Sequence, residues 1–356
     1  MAGPIAIEIR AVEFYLKLLN SFQSLRNLKI SQSMRIYCSL FIVLGYFASL
    51  GAQSQHREKL PKFRWTESTF NLTADSVTIF GSLILPKTKS KIPVVLIIAG
   101  SGPTDRDGNN VMMKNNSLKM LAEGLGNLGI ASVRYDKRGI AESNKSAVKE
   151  IDLRFDHYVK DAENWIKLLK SDPRFSEVTV IGHSEGSLIG MLATVNADAN
   201  RFVSLAGSGR RADIIILDQL KKQSPKILNA VSPLFDSLRA GITVDSIDPM
   251  LNSLFRPSVQ PYMISWMNYD PVVGIKKVKV PVLIIQGTTD IQVSAEDANL
   301  LAAAKPDSDL KFINGMNHVL KIAPADPVAN QRTYLDPNLV LAEELVPLIF
   351  TFIVSK

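Results

Sequence analysis

The strongest chemical signal in this chain is the pentapeptide Gly182-His183-Ser184-Glu185-Gly186. A serine with glycine two residues away on either side fits a sharp strand-to-helix turn that lifts its hydroxyl clear of a sheet edge as a nucleophile. The flanks agree: residues 178–181 form a β-branched run that predicts a buried strand, and residues 187–193 predict a helix. So tight a turn leaves no room for side chains at 182 and 186. The helix behind the serine would add free N–H groups and a dipole that favour negative charge.

A serine needs a base. The chain has four histidines, His56, His157, His183 and His318. His56 follows an apolar N-terminal segment, outside any core pattern. His157 falls early in a polar-faced helix. His183 adjoins the serine with its side chain expected to point away, which gives it a packing role. His318 ends the loop Asn314-Gly315-Met316-Asn317-His318 after the strand-like run 310–313. Loops after strands are where α/β folds place catalytic groups, so His318 is the expected general base and then general acid.

An elbow of this kind orders its partners serine, acid, histidine along the chain. Residues 281–286 read as a strand buried on both faces, and the run ends in Gly287-Thr288-Thr289-Asp290. Asp290 is therefore expected to orient the imidazole of His318 and to stabilise its cation. The alternative is that Asp290 caps its turn or the helix beginning near Ser294. Asp270 and Glu296 are fallback candidates, neither directly after a strong strand.

Two oxyanion donors are expected, the backbone N–H groups of Glu185 and of Ser101. Ser101 lies in Gly100-Ser101-Gly102-Pro103-Thr104-Asp105-Arg106-Asp107-Gly108-Asn109, after the strand-like run 92–99. The stretch from Asp105 to Asn109 looks like the start of a calcium loop but lacks its remaining ligands and distal glutamate. No metal is assigned, and Asx turns with an internal Asp–Arg pair are the simpler expectation.

These groups need a scaffold. Residues 70–86 predict an antiparallel hairpin, and strand-like runs follow at 94–99, 131–135, 178–181, 202–205, 282–286 and 310–313. Helix-like stretches separate them, including an amphipathic one at 156–169, which is the pattern of βαβ units around a parallel sheet. Residues 339–353 predict a closing apolar helix. The alternation breaks from 209 to 269, where helices at 213–220, 226–238 and 249–255 predict a lid over the site. Met263, Trp266 and Met267 are candidates to line an acyl pocket, with Met250, Leu254 and Phe255 nearby. For each of them, packing of the lid onto the core is the competing role. Arg256 is a surface residue or a partner for a substrate carboxylate.

The N-terminal region has a different character. Met34-Arg35 precedes an apolar run at 36–52 that ends in small residues before Gln53-Ser54-Gln55, a secretory signal pattern. This divides the chain into an extension at 1–33, a signal segment at 34–52 and a domain at 53–356. It implies a secreted or periplasmic protein, membrane-anchored if the segment is not cleaved. Residues 1–33 then read as an over-extended start upstream of Met34, or as an amphipathic helix at 7–19. Cys38, the one cysteine, lies within the signal-like run, which leaves the domain no disulfide or thiol nucleophile. The formal charge of +7 is spread along the 356 residues, which argues against a nucleic-acid partner.

Gly100-Ser101-Gly102-Pro103, Tyr135-Asp136-Lys137-Arg138-Gly139, the serine pentapeptide, Gly287-Thr288-Thr289-Asp290 and Met316-Asn317-His318 together resemble the α/β-hydrolase superfamily. Within it the chain looks most like bacterial carboxylesterases of the serine-aminopeptidase-like group with a helical lid. The run from Gly100 to Asn109 is the most specific match, and the resemblance covers residues 70–356. It implies an eight-stranded, mostly parallel sheet flanked by helices, with a lid after the sixth strand. It also implies cofactor-free serine hydrolase chemistry, usually on small-molecule esters. Two other readings stand beside it: a peptidase that releases N-terminal residues, and a non-catalytic binding protein on the same scaffold.

Overall fold

The computed structural model describes residues 62–74, 77–146, 149–223 and 225–355. The expected signal segment at 34–52, the upstream extension, Cys38 and His56 lie outside the described residues.

Among the described residues, eight strands form one sheet. In chain order they are β1 (Trp65–Thr69), β4 (Gly81–Pro86), β5 (Ile92–Ile98), β6 (Ala131–Tyr135), β7 (Phe175–His183), β8 (Arg201–Leu205), β9 (Val282–Gly287) and β10 (Asp309–Ile313). Their spatial order is β1-β4-β6-β5-β7-β8-β9-β10, antiparallel across β1/β4 and β4/β6 and parallel thereafter. The expected hairpin is divided. β2 (Leu72–Ala74) and β3 (Val77–Ile79) pair as a separate two-stranded sheet, and β4 turns away to join the main sheet beside β1.

The central strands are buried along nearly their whole length, so they are continuous apolar runs rather than alternating ones. Helices α2 (Phe155–Ser171) and α3 (Glu185–Ala197) cover one face, with Trp165, Ile166, Leu169 and Ile189 in its core. On the other face α1 (Ser117–Asn127) and the C-terminal helix pack Leu118, Leu121, Leu125, Leu345 and Ile349 over the sheet. That C-terminal helix spans Leu345–Val354, shorter than expected from its apolar run. Residues before it pair instead with the histidine loop: Leu341 bridges to Lys321, and the Ala342 N–H donates to the Leu320 carbonyl at 2.8 Å.

The strand order places the chemistry. After β5 the chain first adds β6 on one side, then crosses to β7 on the other. The loop after β5 and the turn after β7 therefore meet at the switch point, where open α/β sheets leave a crevice.

Between β8 and β9 the chain leaves the sheet as a helical insertion: α4 (Ala212–Gln223), α5 (Leu228–Arg239), α6 (Asn252–Phe255), α7 (Gln260–Met267) and α8 (Pro271–Ile275). α7 begins at Gln260 with Pro261 in its first turn, where proline's missing N–H has no helical acceptor to lose. It is fastened to α2. The Phe155 N–H donates to Ser265 Oγ at 2.8 Å, and the Phe155 and Trp266 rings stack 6.0 Å apart, 5° from parallel.

Candidate active site

Ser184 follows β7 and holds the N-cap position of α3, with φ 56° and ψ −121°. Left-handed φ is strained for a residue with a side chain and persists where the surroundings enforce it. The glycines permit the enforcement. A Cβ on Gly182 would lie 2.1 Å from the Gly186 carbonyl oxygen, and one on Gly186 would lie 2.4 Å from the Ile98 carbonyl oxygen. The elbow is thus pressed against both its own helix and the end of β5.

The structure brings His318 and Asp290 together: His318 Nδ1 lies 2.8 Å from Asp290 Oδ2. A carboxylate only accepts, so Nδ1 carries the proton and Nε2 keeps a free lone pair. Asp290 also does the capping that was the alternative. Its Oδ1 accepts from the Gln292 N–H at 2.8 Å and the Val293 N–H at 3.0 Å. Gln286 Nε2 donates to Oδ2 at 3.1 Å. The side chain has no exposure. Burial pushes its pKa up, but the neighbouring imidazole and these N–H groups outweigh it, so the carboxyl is held below its usual range.

The fallback acids have other tasks. Asp270 caps α8 through the Val272 N–H at 2.9 Å, and Glu296 is exposed in the first turn of α9 (Ala295–Ala304). His157 accepts the Arg154 N–H at the start of α2.

His183 does more than pack. Its Nε2 lies 2.8 Å from the His318 carbonyl oxygen, so Nε2–H must be the donor. The two imidazoles sit 4.9 Å apart. Burial, reinforced by His318, lowers the pKa of His183 to about 3, so its ring is neutral near neutral pH. A further brace joins the two loops. Asn330, in α10 (Pro327–Arg332), donates to the Thr289 carbonyl at 2.8 Å and accepts from Asn317 Nδ2 at 3.1 Å. Gln286 and Asn330 give no sequence signal, because each acts on a partner distant in the chain or on the far side of a turn.

The loop after β5 is held from outside. Asp105 Oδ1 accepts from the Asp107 and Asn109 N–H groups at 2.9 Å each, the expected Asx turns. The expected internal Asp–Arg pair is not what forms. Arg106 reaches Asp136 at 2.6 Å, and Asp107 accepts from Arg134 Nη2 at 2.9 Å. Both pairs tie the loop to β6 or the residue after it, because side chains of adjacent turn residues diverge.

A cavity of about 750 Å³ opens at the elbow, lined by Ser101, Ser184 and Glu185. Its apolar wall includes Leu188 of α3 with Ile215, Ile216, Met263 and Trp266 of the insertion. Met267 is a correction. It lies one turn beyond Met263 on α7, is 3% exposed, and joins the hydrophobic core rather than the cavity wall. Phe255 is likewise in the core, edge-on to Phe235. Met250 is exposed, and Leu254 lines the cavity. His318 and the Asp290 side chain are buried, and neither residue is among those that line the cavity. Arg256 lines the cavity but is bound to Glu150.

Fold and elbow together define an α/β hydrolase. Residues 114–322, more than half of the chain, match the family described as serine aminopeptidase, S33, and the chain belongs to that family. It is 25% identical over 253 residues to Esterase EstD of Thermotoga maritima, a match that covers 67% of this chain and 57% of that esterase's length. Among solved structures, Est1E from Butyrivibrio proteoclasticus with ferulic acid bound superposes with a TM-score of 0.56 at 17% identity, over 80% of this chain and all of that one. The α/β hydrolase GrgF from Penicillium sp. sh18 gives 0.54 at 16%, over 81% and 97%. Both structures share the fold.

Proposed function

We propose that this chain is a serine hydrolase that cleaves small carboxylic esters through an acyl-enzyme. The observation that carries the reading is the buried Asp290–His318 pair, held with its imidazole proton on Nδ1 at the sheet edge where Ser184 sits in its strained turn. In this mechanism His318 Nε2 takes the Ser184 proton as Oγ attacks the ester carbonyl. The oxyanion is received by the N–H groups of Ser101 and Glu185. His318 then returns the proton to the leaving alkoxide, and a water activated the same way releases the acid. The likeness to an esterase supports ester substrates.

The cavity favours esters over peptides with a free N-terminus. An aminopeptidase needs unpaired carboxylates for the substrate ammonium. Among the described residues, the carboxylates lining the cavity are Glu150 and Glu185, bound to Arg256 and Lys137 respectively. Asp213, Asp218 and Asp236 pair with arginines, Asp248 caps the Met250 N–H, and Asp245 is exposed away from the cavity wall. The insertion acts in this reading as a lid whose Met263 and Trp266 meet the acyl group, and the segment at 34–52 directs export. Fluorophosphonate labelling of wild type and Ser184→Ala tests the chemistry: wild type should label and the variant should not. An unlabelled wild type refutes the enzyme reading. p-Nitrophenyl esters set against aminoacyl-nitroanilides then decide between esterase and peptidase.

A further inference from the structure

The roles assigned to Ser184, His318 and Asp290 leave unused a buried ion pair beside Ser184, that of Lys137 with Glu185. The Lys137 side chain is 1% exposed, and its Nζ donates to the Gly100 carbonyl at 2.6 Å and to the Glu185 carboxylate at 2.7 Å. The ammonium also sits 5.0 Å from the centroid of the Tyr158 ring. A lysine is costly to bury unless its hydrogens are matched, and these partners are not arbitrary. The peptide unit whose oxygen is that of Gly100 has the Ser101 N–H as its other end. Glu185 supplies the second proposed oxyanion donor through its backbone. Gly100 is also packed against the nucleophile, since a Cβ there would stand 3.1 Å from Ser184 Cβ.

We infer that Lys137 is a positioning residue of the oxyanion hole, an inference that rests on the serine ester hydrolase reading. Its ammonium draws electron density toward the Gly100 oxygen, which makes the Ser101 N–H at the other end of the same peptide a stronger donor. It holds the loop after β5 and the first residue of α3 in fixed register, so both N–H groups converge on one point. It also balances the Glu185 carboxylate, whose charge would otherwise oppose an oxyanion forming nearby. Tyr262 donates its hydroxyl to that same carboxylate from α7, so the insertion is part of the same chain of bonds.

The test is the near-isosteric, uncharged pair Lys137→Met with Glu185→Gln, which leaves no unpaired buried charge. With p-nitrophenyl acetate, kcat should fall about 10–100-fold with KM within about threefold of wild type, less than the ~10²–10³ lost when a donor is removed outright. A trifluoromethyl ketone, which forms a tetrahedral adduct on Ser184, should weaken by the same factor as kcat/KM, while an ether analogue of the substrate, which has no carbonyl oxygen, binds as before. A role in scaffolding alone would weaken ketone and ether together. Wild-type kcat in the double variant, or equal weakening of both ligands, overturns the proposal. If the double variant does not fold, Lys137→Gln serves in its place, keeping a donor to Gly100 without the charge, and wild-type kcat there is equally fatal. A wild type that hydrolyses no ester overturns the esterase reading itself, whereas a fully active variant overturns only the role of Lys137.

Discussion

Replacing Asp290 with asparagine removes one charge and almost no volume, and the surrounding bonds dictate the outcome. Oδ1 accepts from two backbone N–H groups, those of Gln292 and Val293, which can be served only by an oxygen. The asparagine amide nitrogen must therefore take the place of Oδ2, facing His318 Nδ1 and Gln286 Nε2. There its hydrogens confront two donors, where the carboxylate oxygen accepted from both. His318 can relieve the clash only by moving its proton from Nδ1 to Nε2, which leaves no lone pair to receive the Ser184 proton. The stabilisation of the imidazolium by a neighbouring anion is lost as well. A wrong tautomer at this position costs about 10³–10⁴-fold in kcat, or about 4–5.5 kcal/mol of barrier. KM for a short ester should change little, because the Asp290 side chain is fully buried and does not line the cavity. The assay is steady-state hydrolysis of p-nitrophenyl acetate by wild type and Asp290→Asn, with thermal melting to confirm a native fold. A folded variant whose kcat lies within about tenfold of wild type would show that the carboxylate does not set the tautomer, and the assignment would fail.

His183 holds a pKa of about 3 in the fold against 6.5 when free, so the unfolded chain binds a proton that the folded chain refuses. Its contribution to stability is complete above pH 6.5 and declines as pH falls from 6.5 toward 3, by up to about 1.4 kcal/mol per pH unit. Urea denaturation from about pH 7.5 to about 4.5 should show this slope in wild type and a shallower one in His183→Gln, and identical slopes would contradict it. Gly182→Ala places a Cβ 2.1 Å from the Gly186 oxygen and 2.5 Å from Ser187 Cα, both backbone atoms. It should destabilise the fold by roughly 3 kcal/mol or more, read as loss of soluble protein or a lowered melting temperature. A variant that melts with wild type would mean the elbow is not so confined.

The sequence is most legible where a group and its setting are close in the chain. Ser184 and Asp290 each follow a continuous apolar strand and stand in a turn with a recognisable composition, and elimination leaves His318. Strand β1 escapes such a reading because Trp65–Thr69 is an edge strand with four of its five residues exposed, so no apolar alternation marks it. Helix α7 escapes it because Pro261 reads as a breaker when it is in fact a first-turn proline. The closing helix is shorter than its composition suggests because residues 339–344 are apolar enough for a helix, yet their backbone pairs with the loop that carries His318. The roles of Lys137, Asn330 and Tyr262 go unread for a common reason. Each has a partner settled by topology, and nothing local in the chain encodes which partner that is.

The paired charges around the cavity have a consequence for how substrate arrives. Lys137, Arg138, Arg210 and Arg256 all line it, and carboxylates answer each of them: Glu185, Asp161, Asp297 with Asp218, and Glu150. Opposed charges a few ångströms apart cancel within a Debye length, about 8 Å at physiological ionic strength. These pairs thus contribute little net field at the mouth despite the four cations. In the esterase reading, a neutral ester gains nothing from these pairs at a distance, and they draw in no anionic competitor. Encounter is left to diffusion and to the release of water from the apolar wall, so added salt has little purchase on the rate of capture.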